Sequence, residues 1–526
     1  MRRSQLPSSH QQFDLLVCGG GIYGAWTAYD AALRGLKIII VDQGDWASGT
    51  SSASSKLIHG GLRYLETMDF GVVKKSLHER QRLIDAAPYR VWPLRFGIPV
   101  NQDSRIGAFR LKIGLSIYDF LAGTYHSQQT HQYFDAESFS HRFPDLNKNH
   151  LKSGFTYLDA QTDDARFVLE LIEGAYSAGA SCLNYCQVTD ILEHNDVISG
   201  AVLSDKISGE CHSIKTKTVA NTIGQWTYSS HSKQQWCRLS KGIHLILPKT
   251  LNNEALLLTA KSDGRVFFII PWYGKTLLGT TDSDFKGNIN HLTVDKKEID
   301  YLLNEANLAL STQWSVKDIQ GQFAGLRVLQ HSTKHSPSDV TREWELKSVQ
   351  KGLFYSIGGK LTSSRDDAEQ IVNTVCKYLA NNAACKTADK PFPWMPTENF
   401  KDWSTQMTEK ALHLGIDSES TLWLLRRHGK HVSKIFKIIG QDHQLAKRIT
   451  PTVPLIMADF TFCLKHEMVF RLEDLLRRRI PLLILYRMTE EDLQRFAEIC
   501  ANTLNWDQAT VDNKEVHACA KKWLLQ

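Results

Sequence analysis

Hydrophobic and polar residues alternate along this chain with two different periods, and the change between them predicts where helices and strands lie. The predicted helices, with apolar residues three and four positions apart, span 69–87, 105–121, 163–179, 294–310 and 364–380. The predicted strands, which are short apolar runs, include 15–18, 37–41, 91–100, 243–247, 266–270 and 352–357. Helical and strand patterns in alternation predict an α/β fold.

The pattern changes in the last quarter of the chain. Segment 386–400 contains Pro391, Pro393 and Pro396 and is predicted to be a linker. Beyond it almost every apolar run has a helical period, which predicts a separate C-terminal helical domain. Earlier in the chain, segment 131–155 is polar and is predicted to be a loop.

A glycine motif follows the first predicted strand. Gly19, Gly21 and Gly24 have G-x-G-x-x-G spacing: the first permits a tight turn, the second lets a pyrophosphate approach, and the third lets the helix pack closely. Asp42 ends the next strand, 23 residues after Gly19, near the ~20 expected of a ribose-binding carboxylate. The unit predicts dinucleotide binding, and at this point either NAD or FAD would satisfy it.

Polar donors continue beyond Asp42 and return at two later turns. Hydroxyl and cationic side chains crowd the segment 50–64, which suits either a cofactor contact or a polar surface loop. Gly224 and a second glycine turn at 358–362 also lie where strands of the same sheet are predicted to end. The predicted cofactor contacts are Gly19, Gly21, Gly24, Asp42, Thr50, Ser51, Ser52, Ser55, Lys56, Gly60, Gly224, Gly359, Lys360, Leu361 and Thr362.

Composition narrows the classes of function. A net charge of +6 is mild, and no zinc-finger spacing or aromatic single-strand-binding repeat is present, so no nucleic acid and no metal site is predicted. The ten cysteines are scattered, which favours reduced thiols in a cytosolic compartment. We expect no signal peptide, because segment 4–12 is polar and no apolar stretch follows it. We expect no spanning helix, because no apolar stretch reaches the ~18 residues required.

Segment 105–121 is apolar and basic together. Its composition suits an amphipathic helix on a membrane surface, and it equally suits a helix packed on a sheet with snorkelling cations. The later run HEMVFRLEDLLRRR is open in the same way, between intramolecular packing, a dimer contact and an anionic-lipid contact, with packing favoured.

Several motifs resemble one family. GGGIYGA, TSSASSKLIHGGLRYLE, KGIHLILP, GTTD, AGLR, TREWEL, GGKLT and HEMVFRLEDLLRRR are similar to the FAD-dependent, quinone-linked glycerol-3-phosphate dehydrogenases over residues 13–479. The second motif is far more specific than the glycine spacing. Three positions depart from the family pattern. Asp42 is found where the family more often has Glu, Val328 where it commonly has Pro, and Ser363-Ser364 where it usually has Thr-Tyr. Val328 affects the expectation most, because it follows Arg327.

The resemblance implies a fold and a domain division. It implies an FAD-binding Rossmann-like domain of the glutathione-reductase/D-amino-acid-oxidase type, a mixed-sheet substrate domain and a helical C-terminal domain. The FAD-binding domain is predicted over 13–95, 150–235 and 350–385, and the substrate domain over 96–149 and 236–349. The linker is 386–400 and the helical domain 401–526.

The resemblance also implies an activity. It predicts oxidation of sn-glycerol 3-phosphate to dihydroxyacetone phosphate, with electrons passed to a quinone. The implied location is cytoplasmic, peripheral on the anionic inner face of the cytoplasmic membrane, and a homodimer is possible.

The expected chemistry selects the remaining site residues. A phosphate dianion needs convergent cations, and Arg63, Arg327, Arg342 and Lys360 each lie at a strand end or turn. The resemblance implies that they gather around substrate with Tyr64 and Thr281, and that Lys360 also lies near the flavin. Oxidising a secondary alcohol needs a base, and histidine suits neutral pH. His244 is preferred through its motif, with His59 second.

Two rival functions remain at this point. A flavin-dependent amine or amino-acid oxidase on the same fold would need one carboxylate clamp in place of a set of phosphate cations. A flavin-binding protein without turnover, such as a sensor or assembly factor, would need neither a base nor the cations.

Overall fold

The first 380 residues form two large β-sheets, and the chain passes between the sheets several times. The computed structural model describes residues 1–9, 11–123, 130–230, 236–249, 253–330 and 343–525. Its strands are β1 (Gln12–Cys18), β2 (Ile38–Val41), β3 (Leu57–Ile58), β4 (Val91–Asn101), β5 (Gln132–Asp135), β6 (Leu151–Thr162), β7 (Ser181–Leu183), β8 (Cys186–His194), β9 (Val197–Asp205), β10 (Cys211–Asn221), β11 (Cys237–Leu247), β12 (Ala255–Thr259), β13 (Val266–Trp272), β14 (Lys275–Gly279), β15 (Ser283–Asp284), β16 (Gly321–Gln330), β17 (Trp344–Gln350), β18 (Leu353–Gly358), β19 (Arg448–Thr450) and β20 (Val453–Ile456).

Helices cover both sheets and form most of the C-terminal region. They are α1 (Ile22–Leu33), α2 (Phe70–Ala86), α3 (Ala108–Ala122), α4 (Ala136–Arg142), α5 (Asp164–Ser177), α6 (Thr227–Ser230), α7 (Lys296–Ala309), α8 (Ser364–Tyr378), α9 (Phe400–His413), α10 (Ser418–His428), α11 (Val432–Gln441), α12 (Met457–His466), α13 (Leu482–Leu485), α14 (Glu490–Leu504) and α15 (His517–Trp523). In the described part of the chain, each helix is too short or too polar to cross a membrane.

The first sheet has a parallel centre. Its strand order is β17-β18-β10-β1-β2-β7, with the antiparallel strands β8 and β9 attached through β10. β1 lies between β2 and β10 and is parallel to both. Its residues Leu15, Leu16 and Val17 are fully buried, as a parallel strand covered on both faces requires. Helix α1 packs against both α5 and α8.

The second sheet is mostly antiparallel. Its order is β15-β11-β14-β13-β12-β4-β6-β3, with β16 paired to β11 and β5 paired to β6. β11 and β16 pair over ten residues, with His244 opposite Phe323 and Ser240 opposite Arg327. Side chains two apart on a strand share a face, so this register places His244 and Arg327 on the same face.

Sheet pairing divides the chain differently from the predicted boundaries. β6 belongs to the second sheet through its pairing with β4, although 150–235 is predicted in the first domain. β17 belongs to the first sheet through β18, although it is predicted in the second domain. The boundaries follow sequence position, whereas each strand belongs to the sheet of its hydrogen-bonding partner.

The loop prediction for 131–155 is wrong. The segment contains β5, α4 and the start of β6. The Asp135 carboxylate accepts the Ser138 N–H and caps α4, and Phe139 is buried where a Cβ on Gly154 would collide with its ring. Short elements with few apolar residues leave little periodic signal, so the polar composition hid them.

The C-terminal region is helical, as predicted, apart from the small hairpin β19–β20. Its core is continuous with the second sheet, because Phe460 and Leu475 pack in the same cluster as Phe96. The segment predicted as a linker has buried aromatic residues, with Trp394 only 1% exposed. The run HEMVFRLEDLLRRR packs internally. Part of it is a π-helix at Asp474–Arg479, whose three consecutive arginines are buried.

Candidate active site

The glycine turn lies between the end of β1 and the start of α1. Gly19 has φ +102°, a left-handed conformation that favours glycine. Gly21 is the N-cap of α1 and lines the cavity described below. A Cβ on Gly24 would overlap the Gly19 carbonyl oxygen and lie 2.8 Å from Thr222 Oγ1. The spacing therefore brings the N-terminus of α1 directly against the turn, where its N–H groups favour an anion.

Two side chains from the following segment complete this turn. Asp42, at the end of β2, accepts the N–H groups of Gly20 at 2.6 Å and Gly44 at 2.8 Å. Burial raises the pKa of Asp42 to about 6, and the neighbouring Asp45 charge also raises it. Ser51 Oγ accepts the Ile22 N–H at 2.9 Å, within the first turn of α1.

A cavity of about 910 Å³ runs from this turn to the face of the second sheet. Its walls come from the carboxyl ends of β1, β2, β10 and β18, from β8, and from β11 and β16. The predicted residues that line it are Gly19, Gly21, Asp42, Thr50, Ser51, Ser55, His59, Gly224, His244, Arg327, Gly359, Lys360, Leu361 and Thr362.

Four predicted cofactor residues lie behind the wall: Gly24, Ser52, Lys56 and Gly60. The Lys56 ammonium is 1% exposed and donates to Asp164 Oδ1 and to the Ser52 carbonyl, both at 2.6 Å. The Gly60 N–H donates to Tyr118 and Asp159. Lys56 and Gly60 therefore brace the segment 50–60 through hydrogen bonds within the protein.

Tyr23 holds the second glycine turn in place. Its hydroxyl accepts the Lys360 N–H at 3.0 Å and donates to Asp367 Oδ2 at 2.7 Å. Gly359 has φ +95°, and a Cβ there would overlap the Tyr23 hydroxyl. The absence of a side chain at Gly359 therefore lets the glycine-motif helix orient the backbone of Lys360.

Thr362 ties the same turn to the segment that carries His59. Its Oγ1 accepts the His59 N–H at 3.1 Å and donates to the His59 carbonyl at 3.2 Å. This reciprocal pair joins residues 303 positions apart. It fixes the His59 backbone on the cavity wall.

His244 lies on β11 with its ring stacked on Phe323 at a centroid distance of 4.9 Å. Its Nε2 is 2.9 Å from Ser55 Oγ, and its Nδ1 has no hydrogen-bond partner among the described residues. Burial lowers the pKa of His244 well below 6.5, and the charges of Arg327 and Lys56 lower it further. The imidazole is therefore neutral at pH 7 and can accept a proton.

Arg327 lies on β16, on the same face of the sheet as His244. Its guanidinium donates to the Thr281 carbonyl and to Asp282 Oδ1, each at 3.2 Å, and to Thr280 Oγ1 at 2.9 Å. Burial lowers the pKa of Arg327, Asp282 opposes this, and the Arg63 charge adds to the lowering. A Cβ on Gly242 would lie 2.5 Å from Arg327 Nη2, so glycine makes room for the guanidinium.

Thr281 contacts Arg327 through its backbone carbonyl. Its hydroxyl oxygen accepts the Ile243 N–H at 3.0 Å, and the residue does not line the cavity. Only its carbonyl reaches Arg327. The direct substrate hydrogen bond expected of Thr281 is not supported by this placement.

The predicted cations converge around Tyr64. Arg63 and Tyr64 lie in a 3₁₀ turn, Leu62–Leu65. The Lys360 ammonium lies 3.9 Å from the centroid of the Tyr64 ring, and the Arg63 guanidinium carbon lies 5.2 Å from it. Arg63 and Tyr64 also act on the pKa of Arg327, so three of the four predicted cations lie near one another. Arg327 and Lys360 line the cavity, whereas Arg63 and Tyr64 do not. Arg342 lies outside the described residues.

Two functional contacts escaped sequence reasoning. Ser55 was expected to touch cofactor alone, but it also pairs with His244, 189 positions away. Tyr23 orients the Lys360 backbone across 337 positions, a role that its place in the motif does not predict. The motif GGGIYGA contains Tyr23, and no local pattern indicates what its hydroxyl contacts.

Comparisons with known proteins agree with this geometry. A family model described as FAD dependent oxidoreductase matches residues 14–360, and one described as the C-terminal domain of alpha-glycerophosphate oxidase matches 394–511. An aerobic glycerol-3-phosphate dehydrogenase of Staphylococcus saprophyticus is 32% identical, over 91% of this chain and 89% of that protein. A glycerol-3-phosphate dehydrogenase of Synechocystis is 32% identical over 95% of both chains.

The chain belongs to the FAD-dependent glycerol-3-phosphate dehydrogenase family.

Solved structures support the fold of this family member. A glycerol-3-phosphate dehydrogenase from Bacillus halodurans, solved with FAD, has a TM-score of 0.78 and 27% identity, covering 98% of this chain and 94% of that one. A glycine oxidase from Bacillus cereus has a TM-score of 0.53 at 18% identity, covering 74% of this chain and all of that one. The second likeness shows a shared fold alone, and the predicted fold class is confirmed.

The cavity fits FAD, the cofactor of the family. Its volume of about 910 Å³ lies in the range of roughly 300–1,000 Å³ typical of cofactor pockets. The first glycine turn leaves no side chain between the cavity and the α1 N-terminus, and a carboxylate with a raised pKa lies at one end of β2. The prediction of FAD is confirmed.

Proposed function

We propose that this protein oxidises sn-glycerol 3-phosphate to dihydroxyacetone phosphate and passes the electrons to a quinone at a membrane surface. The observation that carries the proposal is the grouping of Arg63, Arg327 and Lys360 beside the FAD cavity, whose wall includes Arg327, Lys360 and the neutral His244. The membership of the family supports the same substrate.

The cations recognise the phosphate in this proposal. Guanidinium groups match phosphate oxygens in pairs, and a lysine ammonium adds a point charge. Arg327 is 22% exposed at its side chain and already orders its fork against Thr281 and Asp282. A preordered fork loses less entropy when it binds an anion. A single carboxylate substrate would leave part of this positive charge unpaired, which disfavours an amino-acid oxidase.

His244 takes the proton from the C2 hydroxyl in this proposal. When bound, FAD supplies the two-electron oxidant that receives the hydride from C2. The hydroxyl proton passes to the neutral imidazole, whose ring is fixed by Phe323 and Ser55. His59, held by Thr362 on the cavity wall, is the second candidate base.

The remaining predicted residues hold FAD in this proposal. The turn at Gly19–Gly21 receives the pyrophosphate at the α1 N-terminus, and Asp42 accepts the adenosine ribose hydroxyls. Thr50, Ser51 and Ser55 continue along the wall, and Gly359–Thr362 border the flavin end.

Anaerobic mixing with sn-glycerol 3-phosphate tests the substrate. We expect the oxidised-flavin absorbance to bleach, and we expect glycine or proline at equal concentration to leave it unchanged. A short-chain quinone added afterwards should restore the absorbance. Absence of bleaching with glycerol 3-phosphate would refute the substrate assignment. Reoxidation by dioxygen but not by the quinone would refute the quinone as electron acceptor.

A pair of arginine variants tests the phosphate contact. Arg327→Ala should raise the KM for glycerol 3-phosphate by about 10- to 100-fold, as expected for the loss of one charged hydrogen-bonding partner. Arg142→Ala is the control, since Arg142 is also partly exposed and ion-paired, to Glu254, but lies away from the cavity. Equal KM values for both variants would remove Arg327 from the site.

An exposed apolar face on α3 supports the membrane contact. Phe109, Ile113 and Phe120 are 77%, 46% and 70% exposed. At the start of the adjoining α2, Met68 and Phe70 are 72% and 39% exposed. Arg105, Arg110 and Lys112 lie on the same helix or just before it. Exposed apolar side chains flanked by cations suit an anionic lipid surface. The location proposed is the inner face of the cytoplasmic membrane.

Vesicle sedimentation tests this face. Protein should sediment with vesicles containing anionic phospholipid, and high salt should weaken the binding. Replacing Phe109 and Phe120 with Ser should weaken it by about tenfold per residue. Leu412→Ser, at a 54% exposed leucine on α9, is the control. A concentration-dependent change in mass that disappears in the Phe variants, with no lipid binding, would instead assign the face to the predicted homodimer.

A further inference from the structure

Three consecutive arginines of the C-terminal region point into the cofactor domain. Arg477, Arg478 and Arg479 are 3%, 4% and 0% exposed, although arginine is seldom fully buried unless paired. Arg477 donates to the Ser52 carbonyl at 3.0 Å, and the other two reach Asp45. Their partners therefore lie in the segment that follows β2.

Asp45 is the main acceptor of this cluster and is 1% exposed. Arg478 Nε donates to its Oδ2 at 2.6 Å, and Arg479 Nη2 donates to its Oδ1 at 2.9 Å, while Arg479 Nη1 also reaches Oδ2. The Asn184 amide adds a bond of 3.2 Å. A buried carboxylate with this number of charged donors is rigidly oriented.

The two residues after Asp45 contact the first glycine turn. Trp46 is fully buried, and a Cβ on Gly20 would lie 2.6 Å from its Cζ3 atom, so the indole packs against the turn. The indole N–H donates to Met468 Sδ at 3.3 Å. The Ala47 N–H donates to the Gly20 carbonyl at 3.0 Å. The segment 45–47 thus bridges the C-terminal region and the turn.

We infer that Asp45 and Trp46 are positioning residues through which the C-terminal helical region holds the glycine turn in its FAD-binding shape. Neither residue lines the cavity, and among its described lining residues none comes from beyond Thr362. The C-terminal region therefore acts on FAD through two contacts in series. Because coupling between two binding events is reciprocal, FAD in turn stabilises the docking of the C-terminal region.

Release of FAD from the holoenzyme tests this role without any substrate. Free FAD is more fluorescent than bound FAD, so dilution gives its dissociation rate. Asp45→Asn should raise that rate by about tenfold, which corresponds to about 1.4 kcal/mol. Asp459→Asn is the control, because this fully buried carboxylate pairs with Arg427 inside the C-terminal region and does not contact the turn. It should lower Tm and leave FAD release within about twofold.

Two further measurements protect the test against a variant that does not fold. Trp46→Phe keeps an aromatic ring and loses the bond to Met468, so FAD release should rise by about threefold. In the unaltered protein, hydrogen exchange of amides 468–480 should slow when FAD is bound. Equal FAD release in Asp45→Asn and Asp459→Asn, or exchange in 468–480 that ignores FAD, would overturn the inference. Neither result would bear on the substrate, because none is present.

Discussion

Replacing Gly24 with Ala should damage FAD binding far more than its size suggests. The added Cβ would overlap the Gly19 carbonyl oxygen and lie 2.8 Å from Thr222 Oγ1 and 3.0 Å from the Gly19 carbonyl carbon. Two of these three atoms are backbone atoms that no rotamer change can move. The α1 N-terminus must therefore separate from the turn by roughly 1.5–2 Å to reach ordinary contact distance.

The magnitude follows from two opposing effects. Overpacking a dense site costs about 1–3 kcal/mol, and a backbone collision belongs at the upper end. Alanine in a helix returns about 1 kcal/mol relative to glycine. The net loss of unfolding free energy is therefore about 2 kcal/mol. If the displaced turn loses a similar amount of binding free energy, the FAD dissociation constant rises by about 30-fold.

Flavin titration and urea unfolding measure these two quantities. Gly114→Ala is the control: Gly114 is also inside a helix, α3, but a Cβ there would have no heavy atom within 4 Å. That variant should bind FAD normally and gain up to about 1 kcal/mol of stability. Gly24→Ala with normal FAD affinity and normal stability would refute the argument that helix and turn are in contact.

Four other predictions concern the two ends of the cavity. Tyr23→Phe removes the acceptor for the Lys360 N–H, so KM should rise by about fivefold while FAD remains bound. Steady-state kinetics and the flavin content of the purified variant measure these two quantities. An unchanged KM would count against a role for the glycine turn at 358–362. Because the pKa of Asp42 is raised to about 6, its carboxylate is lost as pH falls through 6, so FAD affinity should drop between pH 7 and 5, and Asp42→Asn should abolish that dependence. Ser55→Ala leaves His244 Nε2 without its partner. We therefore expect kcat to fall by about tenfold, with little change in KM. Since burial holds the pKa of His244 well below 6.5, kcat/KM should show no loss from its protonation between pH 8 and 6.5; a step near 6.5 would contradict the buried neutral imidazole.

The local parts of the cofactor site could be predicted from the sequence. Gly19, Gly21 and Gly24 with the strand before them and Asp42 after them form one βαβ unit, whose geometry depends on neighbours within about 30 residues. The helices 69–87 and 163–179 were correctly predicted, since each has a buried stripe and a long periodic pattern. The segment 50–56 is predicted to contact the cofactor; Thr50, Ser51 and Ser55 line the cavity, whereas Ser52 and Lys56 do not.

Predictions that depended on pairing were weaker. The strand β5, the helix α4 and the start of β6 lie in a polar segment, where Phe139 and Phe143 pack against Gly154 of β6 and Gly97 of β4. The arginine run at 477–479 has the composition of a solvated surface. Its burial depends on Asp45, more than 430 positions earlier in the chain.

The sequence by itself determined that a dinucleotide binds at a glycine turn, because that turn, its helix and its acidic partner are close together in the chain. Only the tertiary structure decided that Lys360 and Arg63 meet at Tyr64, that Ser55 reaches His244, and that the C-terminal region contacts the turn through Asp45. Apart from the contact between Arg63 and Tyr64, each of these contacts joins residues far apart in sequence. A periodic pattern reports which face of an element is buried, whereas the partner of that face depends on how the two sheets and the helical region pack together.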